Sequence, residues 1–325
     1  MLKYTIKRIA LMFLTLFVIL TMCFILVKIL PNPITARDPE SSAYKYEFQY
    51  RVNRGYIDEE GNVQPLFKQY FRYWELVFTE GDWGEGFKMY SGYKVVDIFT
   101  EKMPFTIMVN VYSLLFSVPL GILLGIYAAL KKNKWQDQVI STGVMLLVSI
   151  PSYIYAFLLQ YILGYKLNLF PLRLADGFDF FSPDMLKSMV LPVLALSFGV
   201  IAGLTRYTRA ELTECLTNDS MLLARTKGLT KGQATFRHAL RNAMVPILPM
   251  IIGEFIGILG GSYIIENIFN IPGVGNLYIT SINTRDYDFF MMLTCFYTFI
   301  GLAAGIIVDL SYGFIDPRIR MGARK

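Results

Sequence analysis

The chain has 325 residues, of which 54% are hydrophobic and only 17% are charged, and its formal net charge at pH 7 is +6. This composition is too apolar for an ordinary soluble domain of that length and indicates a membrane protein. The basic residues are divided among four separate segments, which argues against a nucleic-acid-binding protein and favours contact with anionic lipid headgroups.

Six apolar stretches are long enough to cross a membrane, since a spanning helix needs about 20 apolar residues. They cover residues of about 9–30, 105–130, 138–163, 187–204, 246–268 and 289–314. The first stretch lacks a small-residue cleavage site, so we interpret it as a retained helix and not as a signal peptide. Lys and Arg are concentrated at the N-terminal tip, at 131–134, in the loop at 205–245 and in the tail, which predicts that both termini are cytoplasmic.

The segment between the first two predicted spans, residues 31–103, falls on the extracytoplasmic side of this topology. It is rich in Tyr, Phe and Trp, with most of them between Tyr44 and Trp74. Such side chains either cover the outer mouth of a helix bundle or lie at the membrane interface. We therefore predict a small folded cap over residues 31–103.

Glycines at four-residue spacing occur in the second span, at Gly121 and Gly125, and in the fifth, at Gly253, Gly257 and Gly261. This spacing lets membrane helices approach closely. Packing within the chain suffices for the second span, whereas the longer stripe of the fifth predicts contact with a second chain. Glu254 interrupts the same span, and an ionisable group at membrane depth normally faces protein or water. We predict that this face borders a pathway, with Glu254 as an interhelical hydrogen-bonding residue or a substrate contact.

The cytoplasmic loop at 205–245 carries signals for two short helices. Asp219 is predicted to cap the first, and Gly228 to end it in the left-handed conformation. Thr230 and Gln233 have the spacing of a capping box that starts the second. The apolar residues that follow are predicted to share one helical face: Phe236, Leu240 and Ala243. A loop folded into defined helices indicates a docking surface.

This loop resembles the EAA loop of ABC-importer permeases. Asp219–Leu229 matches the pattern D-x-x-x-x-A-R-x-K-G-L, and R-H-A-L-R-N-A follows from Arg237. Other segments are similar to motifs of the same family: G-D-x-G at 81–84, E-x-I-F-x-x-P-G-x-G at 266–275, R-D-Y at 285–287 and D-P-R-I-R at 316–320. Because they occur in the family's order along the whole chain, the protein is identified as similar to the oligopeptide/dipeptide branch, of the B-type permease kind.

The resemblance implies an all-α membrane protein with the type I ABC importer permease fold. Six transmembrane helices are then arranged as a cytoplasmic N-terminus with the first span at 1–30, the cap at 31–103, a permease core at 104–314 that includes the coupling loop 205–245, and a cytoplasmic tail at 315–325. The implied ATPase-coupling residues are Asp219, Leu222, Leu223, Ala224, Arg225, Lys227, Gly228 and Leu229, and Gly253, Glu254, Gly257 and Gly261 are assigned to the pathway or to the permease interface.

The same resemblance implies an importer in a prokaryotic plasma membrane, built with a second permease, two cytoplasmic ATPases and an external substrate-binding protein. ATP and Mg would then be bound by the ATPases, and this chain would hold no cofactor, metal or catalytic residue. Its sequence contains no G-x-x-x-x-G-K-[ST] loop, no HExxH or CxxC spacing and a single histidine, His238.

Peptides are the leading substrate class, while nickel complexes, glutathione and oligosaccharides stay open as alternatives. An ion-coupled secondary transporter would need buried ion ligands near the midplane and internal repeats, and only Glu254 is well placed for such a role.

Overall fold

The computed structural model describes residues 2–30 and 38–315, and in these ranges the chain forms thirteen α-helices. In chain order they are α1 Leu2–Ile29, α2 Ser42–Asn53, α3 Leu66–Glu80, α4 Val95–Leu130, α5 Trp135–Ser149, α6 Ser152–Leu159, α7 Pro183–Thr217, α8 Asp219–Thr226, α9 Lys231–Ala234, α10 Leu240–Gly257, α11 Tyr263–Ile268, α12 Gly275–Thr284 and α13 Tyr287–Ile315. Helix α6 continues as a π-helical segment, Gln160–Lys166, and α9 as another, Thr235–Ala239. The D-P-R-I-R motif lies outside the described residues.

Among the described residues, five helices are long and apolar enough to cross a membrane: Thr5–Ile29, Val95–Leu130, Pro183–Thr217, Lys231–Gly260 and Tyr287–Tyr312. A sixth span exists if the pair Trp135–Ser149 and Ser152–Lys166, bent by 99°, counts as one. The predicted third span is therefore broken. Pro151 restricts the preceding residue, and Ile150 is extended with φ −101° and ψ 125°, so α5 ends there. The predicted fourth span, 187–204, is too short, since α7 runs from Pro183 to Thr217.

The described chain divides into two compact units. The first, which we call the α7 unit, contains residues 105–273 and short pieces from both ends of the chain, and the second, the α3 unit, contains residues 6–104 and 274–303. In the α7 unit, α7 packs against α5, α6 and α10. Its apolar core gathers small and flexible side chains, among them Ala156, Met185, Met189 and Ala195.

Two segments with family motifs meet inside the α7 unit. The Thr106 hydroxyl donates a hydrogen bond to Glu266 Oε1 at 2.9 Å. A Cβ atom on Gly273 would lie 2.5 Å from both of these side chains, so any other residue at this turn would displace them. Thr106, which belongs to a P-x-T sequence at 104–106 that is similar to one of the family, thus meets the E-x-I-F-x-x-P-G-x-G segment in one buried contact.

Buried polar contacts hold distant segments of the α3 unit together. Arg54, only 2% exposed, pairs with Asp82 at 2.8 Å. Asp286 Oδ2 accepts three backbone N–H bonds, from Phe87, Lys88 and Met89, at 2.9–3.0 Å. Burial raises the pKa of the Asp286 carboxyl, while these three donors favour its charged form. The G-D-x-G and R-D-Y motifs are therefore structural anchors of this unit.

Candidate coupling surface and translocation face

Helix α8 forms the first half of the predicted coupling loop, and a side chain outside the predicted set caps its beginning. Asn218 has extended backbone angles, and its side-chain oxygen accepts a hydrogen bond from the Asp219 N–H at 3.0 Å. The prediction that Asp219 is the cap is therefore wrong by one residue. Asp219 occupies the first turn, where a carboxylate is favoured by the partial positive charge of the helix N-terminus.

The end of α8 is fixed by a complete Schellman motif. Gly228 has φ +91°, and its N–H donates to the Arg225 carbonyl at 3.0 Å, while the Leu229 N–H donates to the Ala224 carbonyl at 3.3 Å. Ala224 and Leu229 also lie in one apolar cluster, which is the contact that usually accompanies this motif. The prediction that Gly228 ends the helix in the left-handed conformation is confirmed.

One face of α8 is buried in its own chain and another is open. Met221 and Ala224 pack in an apolar cluster with Leu212 of α7 and Ala243 of α10. On the open side, Leu222 is 65% and Leu223 is 58% exposed. Arg225, Lys227 and Gly228 are exposed as well. We call the exposed set the coupling surface: Leu222, Leu223, Arg225, Lys227 and Phe236.

The second half of the loop starts with the predicted capping box. The Thr230 hydroxyl accepts from the Gln233 N–H at 3.3 Å, and the Gln233 side chain accepts from the Thr230 N–H at 3.1 Å. The prediction that Phe236 shares a face with Leu240 and Ala243 is wrong, since Phe236 is 69% exposed. The π-helical segment Thr235–Ala239 adds residues to the turn and changes the register.

Helix α10 carries the predicted translocation face, but the glycine stripe is shorter than predicted. The helix ends at Gly257, and Gly261 lies beyond it with φ +65°. A Cβ atom on Gly253 or Gly257 would meet no atom of residues 2–30 or 38–315 within 4 Å. Glu254 is exposed and forms no hydrogen bond or ion pair within the described part of the chain. This face is therefore left open by the chain's own packing.

An ion pair that the sequence reasoning missed joins α5 to α7. Arg209 Nε lies 2.5 Å from Asp137 Oδ1, and its Nη2 lies 2.7 Å from Oδ2. Asp137 is almost fully buried and also accepts from the Asn133 N–H at 2.9 Å. A carboxylate beside three lysines was the available signal, but its partner lies 72 residues away. Bidentate geometry of this kind fixes orientation as well as distance.

In the part of the chain that the structure describes, no group of three His, Cys, Asp or Glu side chains is placed to hold a metal ion. What the coupling loop offers is a rigid, exposed, mixed apolar and basic surface held on α7 and α10. An exposed surface of this composition is suited to contact with another protein.

Related proteins are known for almost the whole length of this chain. The family model described as binding-protein-dependent transport system inner membrane component matches residues 121–321. The dipeptide transport system permease protein DppB of Lactococcus lactis is 34% identical, over 99% of this chain and 100% of its own length. This chain belongs to that permease family. The oligopeptide transport system permease protein OppB of Haemophilus influenzae is 33% identical, over 98% of this chain and 100% of its own length.

The family predicted from the loop motif is confirmed, and so is the fold class, an all-α membrane protein of the type I permease fold. A crystal structure of an amino acid ABC transporter with histidines aligns with 66% of this permease and 92% of its own chain, at 19% identity and a TM-score of 0.49.

Proposed function

We propose that this permease forms half of the translocation pathway of an ATP-driven importer for dipeptides or oligopeptides. Support for the substrate class comes from relatives in L. lactis, H. influenzae and Bacillus subtilis that are named for dipeptide or oligopeptide transport and match nearly the whole chain. An external binding protein delivers the substrate, and two cytoplasmic ATPases bind the ATP and Mg. The chain itself contributes no catalytic residue.

The main support for the coupling role is the way in which α8 is capped at both ends and packed on its own chain. The Asn218 cap, the Schellman motif and the buried Met221 and Ala224 make it a rigid element whose packing partners lie on α7 and α10. When the ATPases close on ATP, the groove that holds Leu222 and Leu223 moves, and this helix transmits the movement to both spans. Arg225 and Lys227 meet acidic side chains at the rim of that groove, where exposed pairs contribute little energy but set orientation.

A second permease covers the open face of α10 in this proposal. Gly253 and Gly257 permit a close approach, and none of the described residues occupies the space within 4 Å of a Cβ atom at either position. Glu254 then faces either the second permease or the water of the pathway, as a carboxylate at this depth requires.

The proposed orientation places both termini in the cytoplasm of a prokaryotic cell and residues 31–103 outside. A cysteine replacing the exposed Glu59 should react with a membrane-impermeant thiol reagent on intact cells, whereas native Cys215 should not. Reaction of Cys215 but not of the introduced cysteine would invert the topology.

The function is tested in the complete transporter reconstituted in lipid, with its binding protein, by following uptake of labelled dipeptides and longer peptides. Leu222→Asp should abolish uptake, because it places a charge in an apolar docking groove, while Leu222→Met should retain it. Uptake of peptides unchanged in Leu222→Asp would exclude this helix as the coupling element, and absence of peptide uptake by the unmodified complex would exclude the substrate class.

A further inference from the structure

Helix α3 presents three different faces along its length. Four aromatic residues lie at spacings of four, three and four on one face: Phe67, Phe71, Trp74 and Phe78. Three of them are strongly exposed, at 62% for Phe67, 69% for Phe71 and 80% for Phe78. So many large exposed aromatic side chains on one helix face mark a surface that is covered by something other than water.

The other two faces of α3 explain why the aromatic face is free. Gln69, Tyr73, Leu76 and Val77 are buried and hold the helix in the α3 unit. Lys68, Arg72 and Glu75 form a third, charged face, in which Arg72 and Glu75 pair at 2.8 Å. A helix with separate packed, charged and aromatic faces can turn its aromatic residues toward acyl chains while its charged residues pair with each other or with headgroups.

The position of α3 beside a membrane span supports this. The Tyr70 hydroxyl lies 2.7 Å from the Thr21 hydroxyl of α1, and the Phe24 ring contacts those of Tyr70 and Tyr73 at 5.2 and 5.6 Å. Thr21 is eight residues before the end of α1 at Ile29, which corresponds to about 12 Å along the helix axis. Helix α3 therefore lies beside apolar surface of the span and not only above its end.

A groove of about 500 Å³ runs between α1 and α3 in this unit. The α1 side includes Phe13, Phe17 and Leu20, and the α3 side includes Phe71, Trp74 and Phe78. The stretch from Phe13 to Leu20 is two turns of α1, about 10 Å long. Most of α1 is exposed in the described chain, and Phe13 and Phe17 belong to this exposed apolar side, while Leu20 is buried at the base of the groove.

We propose that this groove binds an acyl chain of a membrane phospholipid, with α3 beside α1 in the leaflet that holds it. A transmembrane helix about 10 to 12 Å across would take up roughly 500 Å³ with a single turn, so the groove is too small for a partner helix along its length. A flexible hydrocarbon chain is narrow enough to follow both turns. The lipid headgroup then meets the charged face of α3, with Lys68 and Arg72 available to its phosphate. That this is the outer leaflet rests on the proposed orientation.

Tryptophan fluorescence tests the proposal, because the chain has three tryptophans and two of them, Trp74 and Trp83, line the groove. The intact transporter is prepared in bilayers of phospholipid brominated in the middle of its acyl chains, and the signal of Trp74 is obtained as the difference between the unmodified complex and Trp74→Phe. We expect bromine to remove most of this signal, and iodide in the water to leave it unchanged. The matched control is Trp135→Phe, which isolates the exposed Trp135 at the start of α5.

Bound lipid is separated from surrounding bilayer by transfer of the complex from brominated membranes into plain detergent. Retained quenching of Trp74 supports an acyl chain held in the groove. Quenching lost on this transfer, quenching by iodide in place of bromine, or insensitivity to both overturns the site, the last two indicating water or a covering protein. Phe71→Trp provides a second reporter at an exposed groove position, read as the added signal, if Trp74→Phe fails to assemble.

Discussion

Two glycine pairs with the same four-residue spacing have opposite surroundings in the α7 unit. A Cβ atom on Gly125 of α4 would lie 2.5 Å from Thr208 Cβ and 2.8 Å from the Thr205 carbonyl oxygen, both on α7. A Cβ atom on Gly253 or Gly257 of α10 would meet nothing within 4 Å in the part of the chain that the structure describes. The spacing therefore shows that a close approach is possible, while the identity of the approaching helix depends on the rest of the fold.

The contact between α4 and α7 is also polar. The Thr205 hydroxyl donates to the Gly121 carbonyl at 3.1 Å, and Ser113 and Ser197 hydroxyls lie 3.0 Å apart. At Gly121 and Gly125 the two backbones approach closely, because glycine has no side chain to hold them apart. On α10 the corresponding surface is open, which is the reason for assigning it to a second permease.

The largest effect on stability is expected at Gly121 and Gly125, the glycine pair against which α7 is packed. Gly125→Val places atoms where Thr208 and the α7 backbone already lie, and overpacking of this kind costs about 1–3 kcal/mol or more. We expect a large loss of folded protein and a lower thermal midpoint in detergent for the chain alone. An unchanged midpoint would mean that α4 and α7 are not packed as described.

Substitution at Gly253 or Gly257, the glycine pair on the open face of α10, should affect assembly more than stability. A Cβ atom at Gly257 meets no atom of the described residues within 4 Å, so for Gly257→Leu the free energy of unfolding of the isolated permease should change by no more than an ordinary surface substitution, about 0.5 kcal/mol, with little shift of its thermal midpoint. Recovery of the assembled transporter should fall, because a leucine blocks the approach of the second permease. Phe255→Leu, a bulky position on the same helix, is the control. Cysteines along α10 that crosslink only within the chain, with the complex intact, would remove this face from the interface and the pathway.

Gly228 represents a third case, in which the backbone and not the neighbours requires glycine. A Cβ atom added here would meet nothing within 4 Å, yet φ is +91°. Gly228→Val should cost at least about 1 kcal/mol locally and misdirect the two halves of the loop, so ATP hydrolysis should continue with reduced uptake. Gly228→Asn, which tolerates the left-handed conformation, should be milder. Full coupling in the valine variant would refute the role assigned to α8.

The smallest effect is expected at Gly143 of α5, a helical glycine with open space around it and an ordinary negative φ. Gly143→Ala should be neutral or stabilise the chain by at most about 1 kcal/mol through helix propensity. A marked fall of the thermal midpoint would show that Gly143 is in a close contact. The open space found beside Gly253 and Gly257 would then not be evidence that this face of α10 is free.

The sequence alone determined the membrane class, the approximate spans, the capping box at Thr230 and the left-handed end at Gly228. Each of these depends on residues close together in the chain, where composition and backbone preference act directly. The break of the third span also depends on adjacent residues, Ile150 and Pro151, but the long apolar run around them led to the prediction of one continuous span.

Only the tertiary structure decided which apolar surfaces are filled. It paired Asp137 with Arg209, joined Thr106 to Glu266, buried Met221 while exposing Phe236, and placed the aromatic face of α3 beside α1. These outcomes depend on contacts between residues far apart in the chain and on a π-helical turn that shifts the register. Periodicity identifies an apolar or glycine face, but the free energy of packing it depends on which distant surface the folded chain brings to it.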